Sequence, residues 1–546
     1  MRWLLFIVAT LLIVAPRASG SCLGDPVWTD IGTLPADVEI VIAIENGADE
    51  LRSPQGRVLG EALLASRLVS AIPDAWDRAA AAMGLDRDAL VDEVLGRRLV
   101  FAMRAGAGGA PDAWLVSAYV SDAVVTRLEL APRDVVGGVT VSSLDDGRFT
   151  VAMLKEKMRG RWVRRLLIAD GSADGLLRDA LLVRRGDAGV GQLVDEAGFS
   201  VISGEQTGGV AALWREPATG RLLGMNIDRS GAGWDARASA VSETESDATA
   251  ATKLARVTFD EDAFQRWSRR SHVAFVGDLA GQIDSLRSVG ARLAPEGDAV
   301  AEILTMALRD AVAPIAEVVR TDERSVSVLS LRFERDGTVM TLAGPASNTS
   351  GARRADEKAT RLVMALTGDG DPNVDFHGKH GLAVRQTERE VQRAPGALGQ
   401  LFKGKTRIEW CGEPGQSDRA AGGDGHTWWL VRASGAEVAT RADAPADEID
   451  CRLAFDGDLR GLNDAFPGQT GREVVAAGVV RPARLVDRFA NVAPLQKTVG
   501  VVDRVTWSLE PAEVVPGPKG RRFQLRKASA SVEIRLDRDP ENDPRR

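Results

Sequence analysis

The sequence predicts an α+β fold, with antiparallel sheets, packed helices and two related halves. Three patterns support this class. Apolar residues alternate at period two in many short runs, Asp-Gly pairs separate such runs as hairpin turns, and helical spacing of apolar residues recurs between groups of strands. The chain has 546 residues, and because single cores seldom grow past about 300 residues, we expect at least two domains.

Strands and helices follow one another in the first half. The opening strand is predicted from the alternation of Val38, Ile40, Ile42 and Ile44, and Asp86 is the expected N-cap of a helix that stops at Gly96. The predicted elements are strand 38–44, helix 58–69, helix 86–96, strand 99–103, a hairpin turn at Asp146-Gly147, strand 162–169 and helix 176–182.

The same order returns in the second half, which indicates an ancient duplication. The predicted elements are a strand starting at Val273, helix 300–312, strand 326–333, a hairpin turn at Asp336-Gly337, a helix ending at Gly368, and strands 407–411, 427–432, 449–455, 502–509 and 522–536. The stretch 387–394 is polar and has the pattern of a helix. The last third is therefore expected to be rich in strands.

Composition sets the expected domain boundaries. Residues 236–252 are small, polar and without periodicity, which is typical of a linker or an exposed loop. We predict a signal peptide at 1–21, a first α+β domain at 24–240, a linker or exposed loop at 241–252, a second α+β domain at 253–536 and a disordered, charged tail at 537–546.

The N-terminus has the pattern of a secretory signal. Arg2 precedes an apolar stretch of about a dozen residues, which is shorter than the ~20 that a membrane-spanning helix needs. Pro16 ends that stretch, and small residues precede a cleavage site before Ser21. A second interpretation is a lipid anchor on Cys22. Both place the mature protein in the periplasm or elsewhere in the cell envelope.

Charge and cysteines narrow the classes of partner and the redox setting. The net charge of −8 gives no general attraction to nucleic acid. The chain has three cysteines, Cys22, Cys411 and Cys451. Since Cys411 and Cys451 lie on predicted strands and the predicted compartment is oxidising, a disulfide between them is favoured over two separate thiols.

One resemblance covers about the first 215 residues. The segments LPADVEIVIAIENGADEL, GLDRDALVDEVLGRRLVFAMR and LVDEAGFSVI, the last at 193–202, resemble exported bacterial proteins that carry an uncharacterised domain of unknown function. The resemblance implies an envelope location. It brings no activity and no functional residues.

Gly399 to Thr406 matches the phosphate-binding pattern GxxxxGK[ST]. That chemistry needs a buried strand before the loop and a helix after it, because the helix N-terminus holds the phosphates. Here a polar stretch precedes the match and a strand pattern follows it, so we predict no nucleotide site.

The segment 369–380 holds the acidic and histidine residues that a metal site would use. Asp369, Asp371, Asn373 and Asp375 have the spacing of a calcium loop, but Val374 replaces the required glycine and His380 the required glutamate. His377 and His380, with His426 farther along, are capable of binding zinc, yet Gly378 argues against a shared helical face. Exposed loop residues remain the simpler interpretation.

No hydrolase motif is present, since GxSxG, HExxH and SxxK patterns are all absent. Trp410, Trp428 and Trp429 cluster in sequence, and because Trp428 and Trp429 face opposite sides of a strand, at least one belongs to the core. We therefore predict no catalytic, cofactor-binding or metal-binding residue and no cofactor. The sequence favours a non-enzymatic binding or structural protein with an envelope ligand or protein partner. The alternative is an extracellular metal-assisted hydrolase that uses the 369–380 loop.

Overall fold

A computed structural model describes residues 27–534 with internal gaps. The gaps are 66–84, 106–110, 129, 145–146, 159–160, 171–174, 188, 204–208, 217–219, 232, 245–255, 278–326, 335–336, 347–350, 368–384, 392–401, 403, 415–426, 436–461, 463–464, 466–471 and 487–499. Several predictions lie outside the described residues. These are the signal peptide 1–21, Cys22, helix 300–312, the 369–380 loop, His426, strand 449–455 with Cys451, and the tail 537–546.

Helices and strands are numbered along the described chain. The helices are α1 Val27–Gly32, α2 Gly47–Arg52, α3 Pro54–Ala65, α4 Arg87–Leu95, α5 Asp122–Arg127, α6 Gly175–Arg185, α7 Ala197–Ser203, α8 Glu261–Trp267, α9 Gly351–Thr367 and α10 Pro482–Val486. The first ten strands are β1 Ile40–Glu45, β2 Arg98–Ala105, β3 Pro111–Val120, β4 Ala131–Val136, β5 Val139–Leu144, β6 Phe149–Met158, β7 Arg161–Asp170, β8 Val210–Arg215, β9 Leu222–Ser230 and β10 Gly233–Glu243. The others are β11 Val257–Phe259, β12 Val273–Gly277, β13 Ser327–Glu334, β14 Gly337–Ala346, β15 Arg385–Val391, β16 Gly404–Pro414, β17 Thr427–Ser434, β18 Arg472–Val474, β19 Ala476–Val480, β20 Val502–Leu509, β21 Glu513–Pro516 and β22 Arg522–Ile534.

The chain forms two compact units, and its C-terminal part is shared between them. The first unit contains residues 2–249, 486–505 and 512–546, and the second contains 250–485 and 506–511. The sequence predicted a contiguous second domain at 253–536. The structure differs, because β22 pairs with β10 along eleven residue pairs and so returns to the first unit.

Strands of the first unit pair in the order β4-β5-β6-β7-β3-β2-β1-β8-β9-β10-β22-β21, and each pairing with a described register is antiparallel. β1 is central, since β2 and β8 flank it. Its predicted alternation is confirmed within the strand, since Val41 and Ala43 join one buried cluster, whereas Ile42 and Ile44 join another. Val38, which was predicted to share the face of Ile42 and Ile44, lies before the strand and joins the cluster of Val41 and Ala43. The first cluster includes residues of α1, α6 and α7, and the second includes residues of α3 and β10.

Second-unit strands pair in the order β15-β16-β17-β14-β13-β12-β19-β20, where only residues 506–509 of β20 belong to this unit, and a separate pair joins β11 to β18. Helix α9 packs on β16 and β17. Its residues Ala355, Ala359 and Leu362 share a buried cluster with Trp410 and Trp429. The predicted helix is confirmed as far as Thr367, and its expected end at Gly368 lies outside the described residues.

These elements confirm the coarse fold class, which combines helices with a large antiparallel sheet and is mostly strand. Local predictions also hold where the signal was strong. The Asp86 side chain accepts a hydrogen bond from the Ala89 amide at 2.7 Å, as an N-cap does, and α4 ends at Gly96. Both Asp-Gly pairs lie between strands that form hairpins. Among the described residues, no helix combines the length and apolar composition needed to cross a membrane.

Two local predictions are wrong. Residues 236–243, expected to belong to an irregular stretch, form most of β10. Their small Ala and Ser side chains fit a strand that is flanked on both sides, here by β9 and β22. The polar stretch after Thr387 was expected to be helical, but residues 385–391 form β15 and pair with β16. Cross-strand hydrogen bonding outweighs intrinsic helix propensity there.

Candidate functional site

The C-terminal end of α6 forms one wall of a cleft in the first unit. Leu177 and Leu181 are among the residues that anchor this helix in the core. The helix stops at Gly186, whose φ of 76° is left-handed. The Gly186 amide bonds to the Val183 carbonyl at 2.9 Å, and the Asp187 amide bonds to the Leu182 carbonyl at 3.1 Å, which together make a Schellman motif. This cap holds the last helical turn, with its two basic residues, in place.

The turn between β4 and β5 forms the facing wall. Gly137 and Gly138 have φ values of 57° and 79°, as a two-residue type I′ hairpin requires. The backbone of Gly137 lies against α6, since a methyl group added there would stand 3.5 Å from the Leu181 carbonyl oxygen. This distance is an ordinary van der Waals contact, so glycine is favoured here by the left-handed φ of the turn and not by the packing.

Between these walls and β6 lies a cleft of about 620 Å³, a size suited to a small organic ligand. Its apolar lining consists of Leu130, Val139, Val151, Met153, Leu154 and Leu181. Its polar and charged lining consists of Thr140, Ser142, Lys155, Glu156, Arg184 and Arg185.

The cleft carries an excess of positive charge. Three cations, Lys155, Arg184 and Arg185, and one carboxylate, Glu156, leave a formal charge of +2, although the whole chain carries −8. Arg184 forms an ion pair with Glu156, and burial and the neighbouring Arg165 lower the pKa of Arg184. Among the described residues, neither Lys155 nor Arg185 pairs with a carboxylate. The Lys155 Nζ lies 4.9 Å from the centroid of the exposed Trp162 ring.

A buried ion network continues from the cleft into the core. Glu156 Oε2 lies 3.7 Å from Arg165 Nη1 and accepts a hydrogen bond from the Tyr119 hydroxyl at 3.4 Å. Arg165 is almost fully buried, and it donates to Ser117 Oγ at 2.6 Å and to the Tyr119 hydroxyl at 3.1 Å. Burial raises the pKa of Tyr119, so its hydroxyl keeps the proton that it donates to Glu156.

Asp30, on α1, joins two arginines at the inner end of this network. Its Oδ1 accepts from Arg165 at 2.9 Å and its Oδ2 from Arg98 at 2.8 Å, while Arg98 also reaches Glu45 at 3.4 Å. Burial alone would raise the pKa of Asp30, but Arg165 and Arg98 together hold it below its ordinary value. Cations and anions thus alternate from Arg184 to Glu45, and the network fixes the position of Glu156 at the inner side of the cleft.

Two other buried ionisable groups lie outside the cleft lining. Burial raises the pKa of Glu50, whose carboxylate accepts from Trp234 Nε1 at 2.9 Å and from Ser53 Oγ at 3.3 Å. Ser53 Oγ also accepts from the Gly56 amide and so caps α3. In the second unit, Lys358 of α9 is buried, and its Nζ lies 5.7 Å from the centroid of the Trp429 ring and has no hydrogen-bond partner among the described residues. Burial lowers its pKa to about 8.

The last three residues of the phosphate-loop match lie in a strand. Residues 404–414 form β16, so Lys405 and Thr406 lie in a strand where a phosphate loop would continue into a helix. The Thr406 hydroxyl is buried and donates to the Phe402 carbonyl at 2.7 Å.

The tryptophan cluster forms part of the core of the second unit. Trp410 and Trp429 are both 1% exposed, and the Trp410 Nε1 donates to Asp356 Oδ1 at 2.7 Å. This confirms that at least one of the neighbouring pair Trp428 and Trp429 is a core residue. Cys411 lies in β16, and its disulfide with Cys451 stays a prediction.

Sequence reasoning missed the cleft. Its signals were the Gly137-Gly138 pair between strand-like runs and the Arg184-Arg185-Gly186 end of an apolar helix, but such patterns are common in any chain. Only the fold brings the turn, the helix end and β6 together. No protein-family model matches this chain, and neither a search of curated proteins nor a search of solved structures found a match.

Proposed function

We propose that this chain is an exported, non-enzymatic binding protein whose first unit holds a small ligand in the cleft between α6, the β4–β5 turn and β6. The observation that carries the proposal is the cleft itself, in which apolar side chains and the cations Lys155, Arg184 and Arg185 face one space of about 620 Å³. Concave, largely apolar sites with a few convergent polar groups are typical of small-molecule binding.

The lining residues favour binding over catalysis. Among the described residues that line the cleft there is no histidine, cysteine or aspartate, so this lining offers the Thr140 and Ser142 hydroxyls none of the bases that commonly activate a nucleophile. The one carboxylate, Glu156, is held by Arg184 and by Tyr119. A carboxylate held in this way is suited to orienting the neighbouring arginine side chains.

The proposed location is the periplasm or another part of the cell envelope, and it rests on the N-terminal pattern and on the resemblance of the first 215 residues to exported bacterial proteins. Mass spectrometry should find a mature N-terminus at or near Ser21 or Cys22. An added diacylglycerol on Cys22 would support the lipid anchor, whereas an intact Met1 on the folded product would contradict export.

We also propose that the two units descend from one duplicated ancestor. What supports this is their strand order. In the first unit the order β5-β6-β7-β3-β2-β1-β8-β9 places the opening strand β1 between the next strand of the chain, β2, and the later strand β8. In the second unit the order β15-β16-β17-β14-β13-β12-β19-β20 places β12 between the next strand of the chain, β13, and the later strand β19. A short helix precedes each opening strand, α1 in one unit and α8 in the other.

Native mass spectrometry of protein purified from its source cells tests the binding role. We expect a fraction of the protein to carry a small molecule that denaturation releases. Thr140→Trp, which would fill the cleft, should abolish that fraction. Thr126→Trp, at an exposed position outside the cleft lining, is the matched control and should keep it. Retention of the molecule by Thr140→Trp would contradict the proposed site.

The alternative hypothesis, a metal-assisted hydrolase that uses the 369–380 loop, predicts a bound metal. Elemental analysis of the purified protein separates the two hypotheses. A stoichiometric metal that is lost when His377 and His380 are replaced by alanine would favour the hydrolase.

A further inference from the structure

The charged groups of the cleft indicate the sign of the ligand. Lys155 and Arg185 both line it, and among the described residues neither has a carboxylate partner. Arg185 lies in the last turn of α6, whose end the Gly186 cap holds in place. A guanidinium so placed can donate two parallel hydrogen bonds to a carboxylate. A cleft of charge +2 on a chain of charge −8 is a local reversal of sign, which favours an anionic ligand.

The apolar lining indicates the body of the ligand. In the part of the chain that the structure describes, six aliphatic or thioether side chains and no aromatic ring line the cleft. Met153, Leu154 and Val139 are only partly buried, so covering them with an aliphatic chain would remove further apolar surface from water. The lining gives no stacking surface for a sugar or a nucleobase.

Glu156 limits the charge of the head group. Tyr119 and Arg165 hold this carboxylate from the core side, and Arg184 pairs with it at the cleft. Its fixed negative charge offsets Arg184 and would repel a second negative charge on the ligand. The remaining cations, Lys155 and Arg185, offer a charged donor to each of the two oxygens of one carboxylate.

We infer that the cleft binds a monocarboxylate with an aliphatic body, whose head group pairs with Arg185 and Lys155 and whose chain lies along the apolar wall. This inference rests on the binding role proposed above and names its ligand class. The charge reversal supports an anionic ligand, the aliphatic lining supports an aliphatic body, and the fixed Glu156 supports a head group with one negative charge.

Titration calorimetry of the full mature chain with decanoate tests the inference. Decanoate should bind. Acetate, which lacks the aliphatic body, octyl glucoside, which lacks the charge, and decyl phosphate, which carries more than one negative charge, should each bind about tenfold more weakly or not at all. The double variant Lys155→Gln/Arg185→Gln should weaken decanoate binding by about tenfold or more, since it removes two charge-assisted contacts.

Lys157→Gln is the matched control. Lys157 lies on the same strand and is exposed, but it does not line the cleft. It should change decanoate affinity by less than about twofold, because exposed charges outside a site contribute little. Thermal melting of each variant checks that the fold is intact.

The outcomes separate this inference from the proposed function. If octyl glucoside binds as tightly as decanoate, or decyl phosphate more tightly, and the double variant changes nothing, the carboxylate assignment is wrong and a binding cleft remains. A co-purified molecule that Thr140→Trp lacks and that decanoate fails to displace would overturn the ligand class alone. If no probe binds and no molecule co-purifies, both proposals fail.

Discussion

At the scale of single residues, the first unit places full charges where hydrophobic side chains are usual. Arg98, Arg165 and Asp30 are all buried, and each guanidinium meets a carboxylate oxygen of Asp30 within 3 Å. A buried ion pair gains little over a well-packed apolar pair, but removal of one member leaves an uncompensated charge. Each member of the network is therefore sensitive to substitution.

Asp30→Asn should destabilise the first unit by about 3–5 kcal/mol, because two buried guanidiniums lose their shared carboxylate. Urea unfolding measures the difference. Asp92→Asn is the matched control, since Asp92 pairs with Arg52 at 2.6 Å on the surface with about half of each side chain exposed; it should cost no more than about 1 kcal/mol. An Asp30→Asn variant as stable as the parent would show that Glu45 and Glu156 suffice for the two arginines.

The pH dependence of the same residue has a defined sign. The folded-state pKa of Asp30 is lowered, so its carboxylate stabilises the fold fully at pH values above the ordinary carboxyl pKa of about 4. This stabilisation is lost as the pH falls through the folded-state pKa. The difference in free energy of unfolding between the parent and Asp30→Asn should therefore narrow only under acidic conditions. A difference that narrows on the alkaline side would contradict this assignment.

Lys358 is a second buried charge, and it lacks the compensation that Asp30 has. Its pKa is lowered to about 8 from an ordinary 10.5, so between these values the unfolded chain holds a proton that the folded chain does not. The free-energy cost of burying the charged Lys358 is complete at pH values below its folded-state pKa and vanishes above its unfolded-state pKa. At neutral pH this cost amounts to roughly 3 kcal/mol.

Lys358→Met should therefore stabilise the second unit at neutral pH, and the gain should shrink as the pH rises through about 8 toward 10.5. Thermal or urea unfolding at several pH values measures both effects. Lys157→Met, at an exposed position, controls for the substitution itself and should show no such pH dependence. A constant gain across this range would mean that Lys358 stays protonated in the fold.

At the scale of elements, the end of α6 decides where the cationic groups of the cleft lie. Gly186 takes a left-handed φ of 76°, and an added methyl group would meet nothing within 4 Å. Gly186→Ala should thus cost about 1–2 kcal/mol from backbone strain alone. We also expect weaker decanoate binding, because Arg184 and Arg185 belong to the turn that the cap holds.

Gly175, at the other end of α6, provides the matched control. It also has open space around it and has no positive φ. Gly175→Ala should change stability by less than about 1 kcal/mol and should leave decanoate binding as it is. Equal effects of the two variants would assign the loss to the side chain and not to the left-handed backbone.

Elements also differ in how far the sequence predicted them. The Asp86 cap, the alternation in β1 and the apolar spacing of α6 are local signals, and each was confirmed. β15 was mistaken for a helix because Arg385–Val391 is polar, and its strand structure comes from pairing with β16. Such pairing depends on residues far along the chain, which a local pattern does not contain.

At the scale of the whole molecule, the C-terminal segment of the chain returns to the first unit and adds a strand to its sheet. β22 pairs with β10 from Gly233↔Glu533 to Glu243↔Phe523. Without β22, β10 would expose a long unpaired edge of backbone amides and carbonyls. Phe523 and Leu525 would also leave the core cluster that contains Leu222 and Val241.

Deletion of residues 512–546 should therefore unfold or aggregate the first unit. Size-exclusion chromatography and circular dichroism measure this. Deletion of 537–546 alone is the control, since it leaves both β21 and β22 intact, and it should change neither readout. A stable monomer after the longer deletion would show that the pairing with β22 is dispensable.

The sequence by itself determined the α+β class, the strong strands, the Asp86 helix cap and the strand that follows the phosphate-loop pattern, because these depend on residues close together in the chain. Only the tertiary structure decided the cleft, since Gly137, Glu156 and Arg185 come from three elements that meet through strand pairing and helix packing. It also decided the partners of Asp30, which lie 68 and 135 residues away. Long-range contacts of this kind follow from burial and hydrogen bonding summed over the whole sheet, and no local pattern encodes them.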